Sequence, residues 1–353
     1  MQAVILVGGF GTRLRPLTRD IPKQMLPVVD RPIIEHVVAH LAGHGVTRVV
    51  LSLGFRPEAF ADAYPDGTCA GLPLHYAVEP EPLDTAGAVR FAALEAGIGA
   101  GTGTGTGTGT GPGSGSEGCD TFLVLNGDVL TDLDIGAMVA SHQATGAEAT
   151  LALTEVDDPS RYGVVPTDAE GRVVGFVEKP DAESAPSRWI NAGTYVLEPS
   201  ILDRIPDGRP VSIEREVFPA MATERRLHAV RSDAYWIDTG TPEAYIRAQV
   251  DLVDGTRGDL PAVHPSAQVD PGADVERSVV MAGVTVGSGA RLCDAVVMAG
   301  ATIGADATVD HSIVGPGAHV GLGASVTDLT VIGGSESVGA GIKLAGARIP
   351  GDY

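Results

Sequence analysis

The chain has 353 residues, enough for two domains, and its 44% apolar content supports a sizeable core and argues against global disorder. A net charge of −21 argues against nucleic acid and anionic membranes as partners, and no apolar run reaches the roughly 20 residues of a membrane helix. The N-terminal MQAVILVGG reads as a first strand, not a signal peptide, and the widely spaced Cys69, Cys119 and Cys293 read as reduced thiols of a cytoplasmic protein. From 4–7, a short apolar strand, the chain alternates. Helical spacing predicts a helix over 33–41, then a strand at Arg48–Leu53 and a helix over 57–64. A strand at 74–78, a helix over 85–96 and a buried strand at 122–125 follow. This order predicts an α/β, Rossmann-like, mostly parallel sheet with helices on both faces. Its ligands bind beyond the carboxyl ends of strands. Gly8, Gly9 and Gly11 lie at one such end, and Gly127 and Asp128 at another.

The tract 99–118, rich in Gly and Thr and without Lys or Arg, reads as a flexible surface loop. From about residue 261 the texture changes. Val263, Val269 and Val275 are six apart, and Val280, Val297 and Val314 each open a further set of three. The sets start 17 residues apart and continue at Val331. Such a period predicts a solenoid with stacked aliphatics inside. It is similar to the parallel β-helix of hexapeptide-repeat proteins, whose left hand is carried over from that family. The expected domains are 1–258 and 259–353.

The chemistry concentrates in LVGGFGTRLRPLTRDIPKQM, residues 6–25. It is neither a P-loop nor a dinucleotide fingerprint. Glycines after a strand still offer close backbone approach and free N–H groups to a phosphate. Arg13 adds charge, and Lys23 is one of only three lysines, with Lys179 and Lys343. Asp128, after a buried strand and a glycine, suits a hard cation that takes one or two carboxylates plus substrate phosphates. Asp238 is the second candidate.

In order, GGFGTRLRPLT with its following PK, then VEPEPLDTAGA, LVLNGDVL, RYGVV, FVEKP, INAGTYVLEP, VSIEREVFP and YWIDTGTPEAY, span most of the chain. The set resembles the sugar-1-phosphate nucleotidyltransferases, and within them the bacterial mannose-1-phosphate guanylyltransferases. The resemblance implies Mg²⁺-dependent transfer from GTP to mannose 1-phosphate, giving GDP-mannose and pyrophosphate. It implies that Leu6, Gly8, Gly9, Gly11, Thr12, Glu79, Pro82, Thr85 and Gly87 hold the nucleotide, with Arg13 and Lys23 on the triphosphate. Asp128 and Asp238 would hold the metal. Lys179 would clamp the sugar phosphate, with Gly127, Gly163, Glu178, Asn191 and Gly193 around the sugar. Glu79 is the candidate for guanine, accepting from N1–H and the amino group. Two positions depart from the guanylyl pattern: Asp84 stands where LGTAG has its first glycine, and Gln24 follows Lys23 as in many thymidylyltransferases.

Glu214 and Glu216 read as charges at a helix start with no assigned role, and His311 and His319 as surface residues of the solenoid. The rival readings are another sugar or cyclitol phosphate (a pseudo-sugar such as valienol), or dTTP, UTP or ATP as donor. A non-catalytic nucleotide-sugar-binding subunit, and acyl transfer by the β-helix, are further alternatives. By analogy with related enzymes the β-helix is expected to form a homo-oligomer.

Overall fold

A computed structural model describes residues 1–99 and 121–351, so nearly all of the Gly/Thr tract and Cys119 lie outside the described residues. The chain folds as two compact units. One is Met1–Gly8 with Val37–Trp236, and the other is Gly9–His36 with Ile237–Tyr353. Among the described residues no helix is long and apolar enough to cross a membrane.

The first unit is built on a ten-stranded sheet. At its centre Phe122–Asn126, Gln2–Leu6, Arg48–Leu53 and Leu72–Val78 lie side by side and parallel. Ala3, Val4 and Ile5 are fully buried, as the middle strand of a sheet covered on both faces requires. Trp189–Leu197 then runs antiparallel, between Phe122–Asn126 and Ala149–Glu155. The predicted helices form at Ile33–Ala42, Glu58–Ala63 and Asp84–Glu95. The core joins Val4, Val50 and Val124 to Tyr195 and Phe218, whose rings meet edge to face at 5.1 Å.

A buried charge fixes one end of this sheet. Glu148, only 8% exposed, accepts from Arg204 Nε at 2.6 Å and Nη2 at 2.8 Å. This fork-to-carboxylate pairing is among the stronger protein hydrogen bonds, and it holds the Glu148 carboxyl below its ordinary value of 4.5. A carboxyl whose folded value is depressed contributes stability above its unfolded pKa and loses it as pH falls through the folded value. Glu148→Ala is therefore expected to cost about 2 kcal/mol at pH 7. Most of that difference disappears at a pH well below the ordinary carboxyl range, once the folded carboxyl is itself protonated. Urea melts at the two pH values measure it, and an equal loss at both would contradict the assignment.

In the second unit the predicted solenoid is present. Three parallel sheets of five short strands each form its faces, strands of successive coils pairing within each sheet, as the left-handed β-helix architecture requires. Val280, Val297 and Val314 stack in register, and Val286, Leu292, Ile303, Val309, Val320 and Val326 fill the interior. Each turn of the coil needs a residue in the left-handed region, and Arg277, Asp294 and His311 take it at φ 45°, 44° and 44°. The interior series continues at Ile332, not at Val331, because Val314 pairs with Ile332 and Ile313 with Val331. One extra residue enters at the next corner, where Asp328 and Leu329 both sit at φ 60°. His311 is a corner residue and His319 is exposed on a strand, the surface positions expected of them.

Candidate active site

The glycine-rich segment leaves the sheet at Leu6. Gly8 and Gly9 are exposed, and a Cβ on Gly9 would meet nothing within 4 Å. The backbone here is open to a ligand. In the second unit Gly11 adopts φ 60°, which a side chain disfavours. A Cβ there would lie 3.1 Å from both Lys23 Cβ and Thr18 Cγ2. The Gly11 carbonyl accepts from the Thr18 hydroxyl at 2.8 Å and from the Leu14 amide at 3.0 Å. The loop is thereby closed, with Lys23 buried against it and Thr12 and Arg13 exposed. Arg13 and Asp238 flank Gly240: a Cβ on that glycine would lie 2.6 Å from Arg13 Nη2 and 2.8 Å from Asp238 Oδ1. Asp238 Oδ1 also accepts from the Gly240 amide at 2.8 Å, which fixes the carboxylate in an Asx turn.

In the first unit Glu79 follows its strand and bonds both ways. One oxygen accepts from Ser52 Oγ at 2.9 Å, the other from the Leu83 amide at 3.2 Å. The carboxylate thus shapes the 79–83 loop, on which Pro82 is exposed. A base contact would use its remaining lone pairs. Asp84 adopts φ 59° and accepts from the Thr85 amide at 2.7 Å. This explains how aspartate serves where a glycine is usual, since Asp is among the residues that enter this region most readily. Gly87 is buried, and a Cβ would come within 2.9 Å of Leu83 Cβ. Helix-to-loop packing alone would ask for glycine there.

Around the proposed sugar position the backbone is irregular. Lys179, directly before Pro180, sits at φ 51°, where a residue preceding proline is usually extended. Its amide donates to the Tyr162 carbonyl at 3.0 Å, and its Nζ is 3.4 Å from Glu178 Oε1. A Cβ on Gly163 would strike Phe176 at 2.7 Å and Glu178 Oε2 at 3.0 Å. Pairing of Trp189–Leu197 with Ala149–Glu155 shifts register between Asn191 and Tyr195, a bulge of the kind found beside active sites. Within it Gly193 is at φ 74°, and a Cβ would fall 2.5 Å from Asn126 Nδ2. Asn191 donates to the Tyr195 hydroxyl at 2.7 Å and accepts from the Gly193 amide at 3.0 Å. Trp236, two residues before Asp238, donates its indole N–H to the Ala192 carbonyl at 2.9 Å.

Glu214 belongs to this cluster, and the sequence reading did not place it there. Its Oε2 accepts from Thr85 Oγ1 at 2.7 Å and from Ser212 Oγ at 3.0 Å. Thr85 in turn accepts from the Ile213 amide at 2.8 Å. Burial raises the Glu214 carboxyl above its ordinary value, and the nearby Glu178 charge adds to the rise. Thr85, expected at the nucleotide, is thus tied to a carboxylate that faces Glu178 and Tyr195 electrostatically. Glu216 instead pairs with Arg209 at 2.7 Å on the surface.

Gly127 is buried because a Cβ would strike Val7 Cγ1 at 2.6 Å, so the turn that presents Asp128 packs directly on the first strand. Asp128 and Asp238 are each partly buried. Among the described residues no cluster of three or more His, Cys, Asp or Glu forms a self-contained metal cage. Each aspartate offers a hard carboxylate, the ligand type a divalent ion takes alongside water and phosphate oxygens.

A family model described as nucleotidyl transferase matches residues 2–255, and one described as the GMPPB C-terminal domain matches residues 259–350. The chain belongs to the nucleotidyl transferase family. Members of this family generally use a divalent metal. Over 298 residues the chain is 40% identical to a mannose-1-phosphate guanylyltransferase of Mycobacterium tuberculosis, covering 81% of this chain and 75% of that one. Over 289 residues it is 37% identical to a mannose-1-phosphate guanyltransferase of Schizosaccharomyces pombe, covering 79% and 74%. Among solved structures, HddC from Yersinia pseudotuberculosis is similar, with TM-score 0.55 and 28% identity over 70% of this chain and 97% of that one. The same protein complexed with GMP-PN gives a TM-score of 0.54. A putative glucose-1-phosphate thymidylyltransferase from Bacillus anthracis shares the nucleotidyl transferase fold at TM-score 0.58 and 23% identity.

Proposed function

We propose that this protein is a mannose-1-phosphate guanylyltransferase, joining GTP and α-D-mannose 1-phosphate to give GDP-mannose and pyrophosphate with Mg²⁺. The observation that carries the reading is the 40% identity, over 81% of the chain, to a relative of that name. A phosphate oxygen of the sugar phosphate attacks the α-phosphorus of GTP. The bond from that phosphorus to the β-phosphate bridging oxygen breaks, and pyrophosphate leaves with the electron pair. Two polyanions meet in this reaction, so charge neutralisation and alignment dominate its catalysis.

In this reading the backbone of Leu6, Gly8, Gly9, Gly11 and Thr12 approaches the nucleotide, and Arg13 and Lys23 neutralise the triphosphate and the departing pyrophosphate. Glu79 and the 79–87 segment, with Pro82, Thr85 and Gly87, form the base and ribose side. Lys179 orients the attacking phosphate. Glu178, Asn191 and the backbone at Gly127, Gly163 and Gly193 meet the sugar. Asp128 and Asp238 would hold Mg²⁺, which when bound offsets charge on the phosphates. Domains of 1–258 and 259–353, homo-oligomerisation through the β-helix and a cytoplasmic location complete the proposal.

The Gln24 and Asp84 departures make donor choice the point to test. A panel of GTP, dTTP, UTP and ATP against hexose and cyclitol 1-phosphates, scored by pyrophosphate release, is expected to favour GTP with mannose 1-phosphate by about a hundredfold or more. Faster turnover with dTTP would replace the guanylyl assignment. No release with any pair would favour a binding subunit.

A further inference from the structure

The β-helix carries a feature that oligomerisation does not explain. Met281, Met298, Gly315 and Gly333 occupy equivalent positions in successive coils. Their amides donate to Val297, Val314, Ile332 and Ile349 at 2.9, 2.9, 2.8 and 2.7 Å. The first two carry buried side chains, 5% and 2% exposed, and the last two carry none. For Gly315 the coil itself is the cause, because a Cβ would lie 2.6 Å from the Ile332 carbonyl oxygen. For Gly333 the cause is partly outside the coil. A Cβ there would lie 3.1 Å from the Ile349 carbonyl oxygen and also 3.1 Å from Pro16 Cγ and 3.2 Å from Pro16 Cβ.

Pro16 is buried within the glycine-rich segment, between Leu14 and Leu17, which are also buried. Successive turns tie it to the charged residues. The Arg19 amide donates to the Pro16 carbonyl at 3.1 Å, the Leu17 amide to Leu14 at 3.1 Å, and the Leu14 amide to Gly11 at 3.0 Å. Thr18 closes the same loop onto Gly11. A displacement of Pro16 therefore moves the backbone that carries Gly11 and Arg13. The segment Gly9–His36 also clusters with the β-helix and not with the sheet from which it emerges.

We propose that the β-helix positions the nucleotide-binding segment of its own chain, through the close approach of Gly333 to Pro16. Both are positioning residues: they touch neither substrate, and they set where Arg13 and the Gly11 backbone stand. The inference rests on the reading of that segment as the nucleotide side of the site. It gives the β-helix a role in turnover that is independent of assembly.

The test compares Gly333→Ala and Gly333→Val with Gly339→Ala. A Cβ on Gly339 makes only an ordinary contact, 3.5 Å from Ile342 Cγ1, so that variant controls for substitution within the solenoid. KM for GTP is expected to rise about tenfold in Gly333→Ala and further in Gly333→Val, as small misplacements of substrate-positioning groups do. KM for the sugar phosphate stays within about twofold in both, and Gly339→Ala matches the unaltered protein. Amide exchange over 11–18 is expected to quicken in the Gly333 variants alone, whichever substrates the enzyme takes. If Gly333→Val does not fold, Gly333→Ala carries the comparison. Unchanged exchange and nucleotide KM in a folded Gly333 variant would overturn the proposal. So would parallel rises in both KM values that Gly339→Ala reproduces. An unaltered protein without any pyrophosphate release would count against the proposed reaction, and the exchange measurement would still decide this inference.

Discussion

Asp128→Ala is expected to lower pyrophosphate release by about a thousandfold or more while the sheet stays folded. The chemical term is large because, in the proposed reaction, this carboxylate would help to neutralise two polyanions as they meet. Without a charged oxygen to hold a divalent ion, the repulsion between sugar phosphate and triphosphate is left uncompensated. The structural term is small. Asp128 is only partly buried, and the turn that carries it is fixed by Gly127 packing on Val7 and by the Gly127 amide donating to Leu6 at 2.9 Å. Asp238→Ala is expected to lose as much activity, with a second cause: the Gly240 amide loses its acceptor, and Arg13 loses a neighbour. Asp238→Asn separates the two effects. The amide oxygen can keep the turn, so a loss that persists in Asp238→Asn is electrostatic, and recovery to near the unaltered rate would assign the residue a turn-forming role instead. Titrating each variant with Mg²⁺ and Mn²⁺ in the pyrophosphate assay measures the metal contribution. A near-unaltered rate in Asp128→Ala would remove that residue from the metal site.

What the sequence made legible follows from which physical signals are local. Three of the four parallel strands announce themselves because a doubly covered strand must be apolar along its length, and Val4, Val50 and Val124 all join one core. The solenoid is legible because its coil length is nearly constant. The one missed step, Ile332 in place of Val331, comes from a corner that absorbs an extra residue through two left-handed positions, Asp328 and Leu329. Glu214 was hidden for a related reason. It lies in a π-helical turn, Ile213–Val217, where the usual 3.6-residue periodicity no longer tells an inward from an outward position, and such turns favour functional sites. Gly87 and Gly127, expected beside the ligands, also lie where a Cβ would meet neighbouring side chains at 2.9 Å and 2.6 Å, so packing alone would ask for glycine at either. A glycine required by a neighbouring side chain and one required by a substrate look alike in a sequence.

Lys179→Gly is expected to lose most of its activity and to be slightly more stable than the unaltered protein, a combination that distinguishes a functional lysine from a structural one. A non-glycine residue in the left-handed region costs roughly 1–2 kcal/mol, and Lys179 is held there at φ 51° ahead of a proline. Glycine relieves that strain and offsets part of the gain through the freedom it adds to the unfolded chain. The net is about 0.5–1 kcal/mol in favour of the variant, since the ion pair to Glu178 is exposed on its lysine side and contributes little. Lys179→Ala keeps the strained backbone and so gains nothing, while losing the same ammonium. Both variants are expected to lower kcat/KM for the sugar phosphate by about a hundredfold or more, with KM for the nucleotide nearly unchanged. Thermal melts and steady-state kinetics on the pair check this. If Lys179→Gly were no more stable than Lys179→Ala, the backbone strain would not be a native-state cost. If either retained full activity, Lys179 would not be the clamp. Strain held at a residue with no packing role, on a loop that also positions Glu178 against Gly163, is the pattern expected where backbone geometry is kept for function at a cost to stability.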